Sequence, residues 1–288
     1  AELEGRPAPF PKAVRLGWIE GRLREWCTPA VDPAATDLEW PPGSGSWYRP
    51  GPLFESRVLG RWPSQAVDAV WSDTLLAVAF REGREPAAEP ADEPCEIGCD
   101  VARYGDDMTA MHVRRGPVSL WHESHNGWST AQTAGRLKQL AEEYGHRCGL
   151  EGRSIAVKID DDGVGGGVVD QADGYRFLAQ SGARQALEAQ AYPNRRSERW
   201  FALADMAREG RLDLSRLPEE ARQELRRQLM APKWRLDAQG RRVVEAKAET
   251  KARLRRSPDD ADALLLAYST DLGPGTNVLE YYRRAFGN

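Results

Sequence analysis

Apolar side chains fall irregularly along the first third of this chain and regularly after it. Residues 95–102, 109–115 and 118–122 are short runs rich in apolar and β-branched side chains, the last two joined across an Arg-Gly-Pro turn. Short strands with short connections predict an antiparallel meander. The period then changes. Ala134, Leu137, Leu140, Ala141 and Tyr144 fall on one side of a helix expected over 130–144. A buried strand is expected at 155–159, a glycine-rich turn at 163–167 and a helix from Val168 onward. Residues 188–192 predict another strand, and 197–209 and 217–230 read as amphipathic helices, the first with Ser197 as N-cap and Gly210 as its stop. Residues 234–236 and 242–245 flank Asp237-Ala238-Gln239-Gly240, a hairpin turn signal. A last helix is expected over 257–269, with Ser257 as N-cap and Pro258 in the first turn. A meander followed by strand–helix alternation is the pattern of an α/β chain, a mixed sheet with helices on both faces.

Ahead of this, residues 1–50 are rich in Pro, Gly and Trp and predict one helix, over 14–26. An apolar-aromatic segment at 53–80 precedes REGREPAAEPADEP at 81–94, which is charged, Pro-rich and linker-like. The expected division is an N-terminal appendage and linker over 1–94, then the domain proper over 95–288, whose tail 272–288 reads as a docking segment or a frayed end. The first residue, Ala1, reads as the mark of an excised fragment or a processed product. The formal net charge is −4. That is not the basic balance of many nucleic-acid binders, so the distribution of charge must decide. No long apolar run or signal pattern predicts a membrane span. Cys95 and Cys99 lack a second close ligand pair, so they read as two positions on one strand rather than a zinc site. With Cys27 and Cys148 they suggest no disulfide framework, which fits a reducing cytosol.

Acidic residues stand out at three strand ends or helix starts, where a carboxylate projects from a rigid element. Asp100 lies inside an apolar strand, where burying it is costly unless it is paired or bound to a cation. Asp160 ends another and is followed by Asp161 and Asp162, neighbours that repel unless solvent or a cation relieves them. Asp259, Asp260 and Asp262 open the last helix, with Asp259 and Asp262 on one face. Taken singly, each site is also what an ordinary turn or helix N-terminus looks like. Together they are the raw material for hard cations: Mg²⁺ and Mn²⁺ take oxygen ligands. Two such ions ~3.5–4 Å apart activate a water and stabilise a leaving oxygen.

Three stretches carry a family resemblance: 98–107 (GCDVARYGDD), 159–170 (IDDDGVGGGVVD) and 257–263 (SPDDADA). In that order they resemble the motifs of the nuclease domain of phage large terminase subunits, the DNA-packaging motors. The stretch 194–251 follows the same family's flow, and 56–63 (SRVLGRWP) resembles the segment joining its ATPase part to its nuclease. The resemblance spans roughly 95–270. It implies an RNase H-like fold with a five-stranded mixed sheet. It also implies an endonuclease that cuts double-stranded viral DNA with little sequence specificity during packaging in the host cell cytoplasm, using Mg²⁺ or Mn²⁺, two ions being expected. By position Asp100 and Asp160 match the first two catalytic metal ligands, and Asp259 is the first choice for the third. Asp260 and Asp262 are further metal candidates, and Asp107, beside Asp106, an outer one. The implied partners are double-stranded DNA, the portal protein and the small terminase subunit, without a membrane. No G-x-x-x-x-G-K-[ST] loop is present, so ATP hydrolysis is not assigned.

The Gly163–Gly167 loop is not a strict dinucleotide fingerprint and is preceded by acids, so it reads as a place of close backbone approach. Basic residues cluster at Arg195, Arg196 and Arg199, and again from Arg241 and Arg242 through Lys247, Lys251, Arg253, Arg255 and Arg256. Against the ordinary reading of a solvated face, the second run includes the expected hairpin and leads into the third acidic motif. DNA contacts are therefore expected at Arg195, Arg196, Arg242, Lys247, Lys251 and Arg253, with Lys247, Lys251 and Arg253 reading as phosphate contacts. His112, His122, His125 and His146 are scattered and form no metal-type pair on a helix, and His122 and His125, near the meander's end, are expected on the surface. The rival readings are another RNase H-like nuclease of the resolvase or recombinase type, and a non-catalytic docking module of the motor.

Overall fold

The computed structural model describes residues 16–34, 36–60, 68–102 and 105–270. Contacts divide the chain into two units, 1–69 and 70–288. In the smaller, α1 (Leu16–Trp26) runs into an antiparallel sheet of order β1-β3-β2, made of β1 (Cys27–Ala30), β2 (Leu38–Glu39) and β3 (Trp47–Pro50), and α2 (Pro52–Arg57) comes after it. Ile19, Leu23, Cys27, Trp40 and Phe54 bury one another there. Residues 14–15 of the first expected helix, 61–63 of the joining segment and the tail 272–288 lie outside the described residues.

The larger unit starts well before residue 95. Helix α3 (Asp73–Ala79) is capped by Ser72, whose hydroxyl accepts from the Leu75 amide at 3.1 Å. Val70, Trp71, Leu75, Leu76, Ala79 and Phe80 belong to its core. The charged stretch 81–94 is held to the same unit, Ala87 N donating to Asp213 Oδ2 at 2.6 Å. A Pro-rich, charged composition hid this packing, and residues 70–94 belong to the larger unit rather than to an appendage.

Next come β4 (Cys95–Asp100), β5 (Met108–Arg115), β6 (Val118–Asn126), α4 (Thr130–Cys148), β7 (Ala156–Asp160), α5 (Gly166–Val169) and β8 (Phe177–Gln180). The strands form one sheet of order β6-β5-β4-β7-β8. Pairing is antiparallel across β6, β5 and β4 and parallel across β4, β7 and β8, the meander plus parallel strands that the sequence predicts. The chain continues through α6 (Arg195–Arg208), α7 (Glu219–Leu229), a hairpin of β9 (Trp234–Leu236) and β10 (Arg242–Val244), α8 (Lys247–Leu254) and α9 (Asp259–Tyr268).

Several local expectations shift. Residues 188–192 form a turn instead of a strand, with Tyr192 N donating to Glu188 O, and Phe177–Gln180 takes the place beside β7. The helix after the glycine loop is a single turn, α5. Helix α6 starts two residues early because Asn194 caps it, and the Ser197 hydroxyl instead accepts from Val244 N at 3.1 Å. Ser257 does not cap α9, where Pro258 stands at the N-cap. Helix α8 is an element that the basic run conceals.

The two faces of the sheet differ in kind. On one, Ile97, Cys99, Met111, Val113, Val157 and Ile159 pack with Leu137, Leu140, Ala141 and Tyr144 of α4. Helix α4 is fixed by a Ser129–Gln132 capping box and ended by Gly149 at φ +70. Burying each large aliphatic there contributes about 1.5–3 kcal/mol. The other face carries Glu96, Gly98, His112, Arg114 and Lys158, all from alternate positions of β4, β5 and β7. Helix α9 crosses this polar face on small residues. A Cβ at Gly98 would lie 2.2 Å from Ala263 O and 2.3 Å from Ala267 N, so α9 sits on β4 at backbone distance. The C-terminal end of α9 meets cations: Arg114 Nε donates to Ala267 O at 2.7 Å, and Lys158 Nζ to Ala267 O at 3.3 Å and also to Ser269 O. Both cations also bond Glu96, Lys158 at 2.8 Å. Burial pushes the Lys158 ammonium down to about 8, against the pull of Glu96.

Gly98→Ala is therefore expected to cost about 3 kcal/mol or more, since the methyl meets backbone that cannot turn aside. Urea unfolding checks this, and an unchanged midpoint would mean that α9 does not pack this closely.

Candidate metal centre

Strands β4 and β7 run parallel with Cys99 opposite Ile159, so the next residues along, Asp100 and Asp160, leave the same edge of the sheet. Asp100 shares its face of β4 with Gly98, the side on which α9 lies. The close approach at Gly98 brings the first turn of α9, with Asp259 and Asp262, beside Asp100. Gly165 packs the glycine loop against the end of β7, where a Cβ would come within 1.7 Å of Asp160 O, which is the close approach expected of these glycines.

A cation occupies the middle of the group. Lys247, at the start of α8, reaches in with Nζ 2.7 Å from Asp100 Oδ2, 3.0 Å from Asp262 Oδ2 and 3.1 Å from Asp259 Oδ1. The other oxygen of Asp259 accepts from Met108 N at 2.8 Å, and Asp262 also takes Arg196 Nη1 at 3.0 Å. Asp160 stands half-buried at the edge, its Oδ1 3.4 Å from Asp162 N.

The electrostatics come from crowding four carboxylates into a dry place. Burial pushes the Asp100 carboxyl well above the usual range; Asp262, Asp160 and Asp259 add to this and Lys247 opposes it. Asp160 is raised for the same reason, burial first and then Asp262. Asp262 is half-buried, yet Lys247 and Arg196 hold it below the usual range against the cost of desolvation. Lys247, despite its own burial, is held strongly in its charged form by Asp100, Asp262 and Asp259. Among the described residues no group of three or more His, Cys, Asp or Glu side chains is already shaped around a metal position. The ammonium explains this: its three short contacts hold the oxygens around nitrogen. A set of hard oxygen donors gathered on a resident cation is nonetheless the donor chemistry that suits a hard divalent ion.

The remaining expected residues spread out. Asp260 turns away from the ammonium, with Oδ1 2.8 Å from His122 Nε2 and Oδ2 2.6 Å from Gln228 Nε2, so it stands outside the group. Asp107 pairs with Lys251 Nζ at 2.6 Å near the same edge, and Asp106 is exposed. Asp162 holds the loop after β8, accepting from Gly182 N and Ala183 N. Of the expected DNA contacts, Arg195 is buried against Glu198, which removes it from reach of a phosphate. Arg196 serves Asp262, and Arg242 lies over the rings of Tyr192 and Phe201, 4.8 Å from each centroid. Lys251 and Arg253 remain partly exposed, Arg253 bonded to Glu245. Against expectation, His122 is buried, and His112 is buried beside it. The sequence does mark Lys247, a lysine just after a hairpin, but its basic surroundings point to DNA rather than to the carboxylates it serves.

No protein-family model matches the chain, and no curated protein matches it in sequence. Solved structures do. The chain is similar to the nuclease domain of the large terminase subunit of bacterial virus Sf6, with a TM-score of 0.57 and 19% identity over 69% of this chain and 97% of that one. A lysine-to-alanine variant of that domain, solved with manganese and β-thujaplicinol, gives 0.56 and 18% over 69% and 97%. A lysine-to-alanine variant solved with calcium gives 0.56 and 19% over 69% and 98%. The likeness shows the fold, an RNase H-like mixed sheet.

At Asp100 and Asp160, whose carboxyls are raised, the folded chain binds more protons than the unfolded one. Metal-free stability should therefore fall as pH rises from the ordinary carboxyl value of ~4 toward neutrality. Lys247→Ala should steepen that fall and destabilise the metal-free chain at pH 7 by roughly 1–2 kcal/mol, below the fully buried range because part of the side chain meets solvent. Urea midpoints in EDTA at pH 5 and 8 test it; parallel pH dependences for the two proteins would refute it.

Proposed function

We propose that this chain is the nuclease part of a phage DNA-packaging motor, a large terminase subunit domain that cuts double-stranded viral DNA with divalent metal. The observation that carries the reading is the Lys247 ammonium bound by Asp100, Asp259 and Asp262, with Asp160 at the same sheet edge. Carboxylates from two strands and a helix converge where a cation already sits, on the fold of the Sf6 nuclease domain.

In this reading Asp100, Asp160, Asp259 and Asp262 hold Mg²⁺ or Mn²⁺, and Asp260 does not, because its oxygens are taken. When bound, a pair of such ions would supply an activated water and neutralise the leaving oxygen. The chain's residues do the rest. Asp100 is fixed by its strand and reaches the centre of the group. Asp160 is fixed by β7 and by the glycine loop packed behind it. The Met108 amide keeps one Asp259 oxygen turned from the centre and leaves the other facing it. Arg196 offsets the charge of Asp262. Lys247 must yield its place, and its flexible stem allows that. Lys251, Arg253 and Arg256, with side chains between a third and a half exposed, supply phosphate contacts beside the site, and such contacts carry little sequence information. The portal protein and the small subunit are the partners this reading implies, in the host cytoplasm during packaging. Among the described residues no helix is long and apolar enough to cross a membrane.

The test is cleavage of supercoiled plasmid by the full chain with Mn²⁺, Mg²⁺ or EDTA. Metal-dependent nicking and linearisation are expected, abolished in Asp100→Ala and in Asp259→Ala. A folded chain that never cuts would remove the nuclease reading, and preference for four-way junctions over linear duplex would make it a resolvase. Separately, Lys251→Glu with Arg253→Glu should weaken DNA binding and lower the salt slope of log affinity by about 1 for each phosphate no longer neutralised. An unchanged slope would take these residues out of the DNA path.

A further inference from the structure

The helices of this chain stop in different ways. Helix α4 ends on Gly149 at φ +70, and α6 is followed by Gly210 at φ +69. Glycine is the residue that takes left-handed backbone without a clash. Helix α8 ends instead on Arg255, at φ +58 and ψ +16. A residue with a Cβ holds that conformation at a cost, and either its surroundings or a function must answer for it.

Among the described residues, two other non-glycine residues lie in this region, Arg81 and Asp173. Both side chains are tied down. Arg81 Nε donates to Glu85 O at 2.7 Å and lies 3.6 Å from Asp213 Oδ2, and Asp173 pairs with Lys138. The Arg255 side chain is exposed and has no hydrogen bond or ion pair among the described residues. No contact inside the fold accounts for its backbone.

Its basic neighbours are all engaged. Lys247 sits on Asp100, Asp259 and Asp262, and Lys251 lies 2.6 Å from Asp107. Arg253 is bonded to Glu245 and to Ala231 O, and Arg256 lies 3.6 Å from both Glu224 and Asp260. To take a phosphate, each of these four must loosen from a partner, whereas Arg255 gives up only water. Arg255 also stands close to the centre. It precedes Asp259 by four residues, which keeps the two Cα atoms within about 14 Å of each other. Duplex DNA carries one charge for about every 1.7 Å of its axis, so a duplex with one phosphate at the carboxylates has others within that reach.

We propose that Arg255 is the leading phosphate contact of this chain, its left-handed backbone keeping a guanidinium clear of the acids around it and available to the duplex beside the scissile phosphate. The contact is made to the sugar-phosphate backbone and carries no sequence information. It lies away from the reacting atoms, so Arg255 is a binding residue and not a catalytic one. The duplex is the substrate of the function proposed above, and the inference rests on that reading.

The test is binding of the full chain to a short linear DNA duplex in EDTA, by fluorescence anisotropy across a range of KCl. Arg255→Gln keeps a side chain on the same backbone and removes the charge. It should lower the salt slope of log affinity by about 1. It should also lose more affinity than Arg253→Gln, because Arg253 leaves Glu245 to meet a phosphate. Arg255→Gly should bind as weakly as Arg255→Gln, while its relieved backbone raises the unfolding temperature by about 2 °C. An unchanged slope in both Arg255 variants would overturn the proposal, and so would an equal or larger loss in Arg253→Gln. An Arg255→Gly chain no more stable than wild type would overturn it too, by showing that the left-handed backbone costs nothing to hold. Binding is read without metal, so the two readings fail separately. A chain that binds duplex through Arg255 and never cuts plasmid loses the nuclease reading and keeps this contact. Metal-dependent cutting together with an unmoved slope removes the contact alone.

Discussion

The absence of a side chain at Gly98 governs how this molecule is put together. A helix that packs on a sheet through ordinary side chains stands about 10 Å away; here α9 comes down until its backbone meets that of β4. Only at that distance do carboxylates on the first turn of α9 share one ammonium with a carboxylate on β4. The small residues Ala263 and Ala267 on the helix match the glycine on the strand. The apolar side chains of α9, Leu264 and Leu265 among them, turn the other way into the core shared with α3, α6 and α7.

Such closeness confines polar groups that would otherwise reach water, and the chain answers with internal counter-charges. Arg114 and Lys158 serve Glu96 and the terminal carbonyls of α9, and Lys247 and Arg196 serve the acidic group. Buried ions of this sort stabilise a fold less than an apolar layer would, but losing one partner strands the other. The apolar face under α4 should tolerate exchange of similar volumes, whereas the α9 face is a set of mutual dependencies.

Much of this was legible in the residues. The meander, the strand before the glycine loop and the acidic helix start are local patterns, and periodicity reads them well. Asp100, Asp160 and Asp259 stand out because a carboxylate at the end of an apolar run needs an explanation. The features that escape a sequence reading depend on distance along the chain. The side of α9 on which Asp260 falls is decided by His122 and Gln228, far away in sequence. Arg195 and Arg196 are neighbours of one type, yet one is spent inside on Glu198 and the other on Asp262. Composition also misleads. Pro and charge at 81–94 suggest a linker, although the apolar residues just before it fill the core.

The close seat of α9 on β4 also orders events in time. The two elements are separated by most of the larger unit, so the contact at Gly98 closes a very long loop. A chain emerging from the ribosome can complete the meander and α4 while α9 is still unmade. Until α9 docks, Asp100 and Asp160 stand without Asp259, Asp262 or the lysine that α8 brings to them. Whatever chemistry the site performs is thus withheld from translation products that stop short of α9 and begins only when that helix is in place on the sheet's polar face.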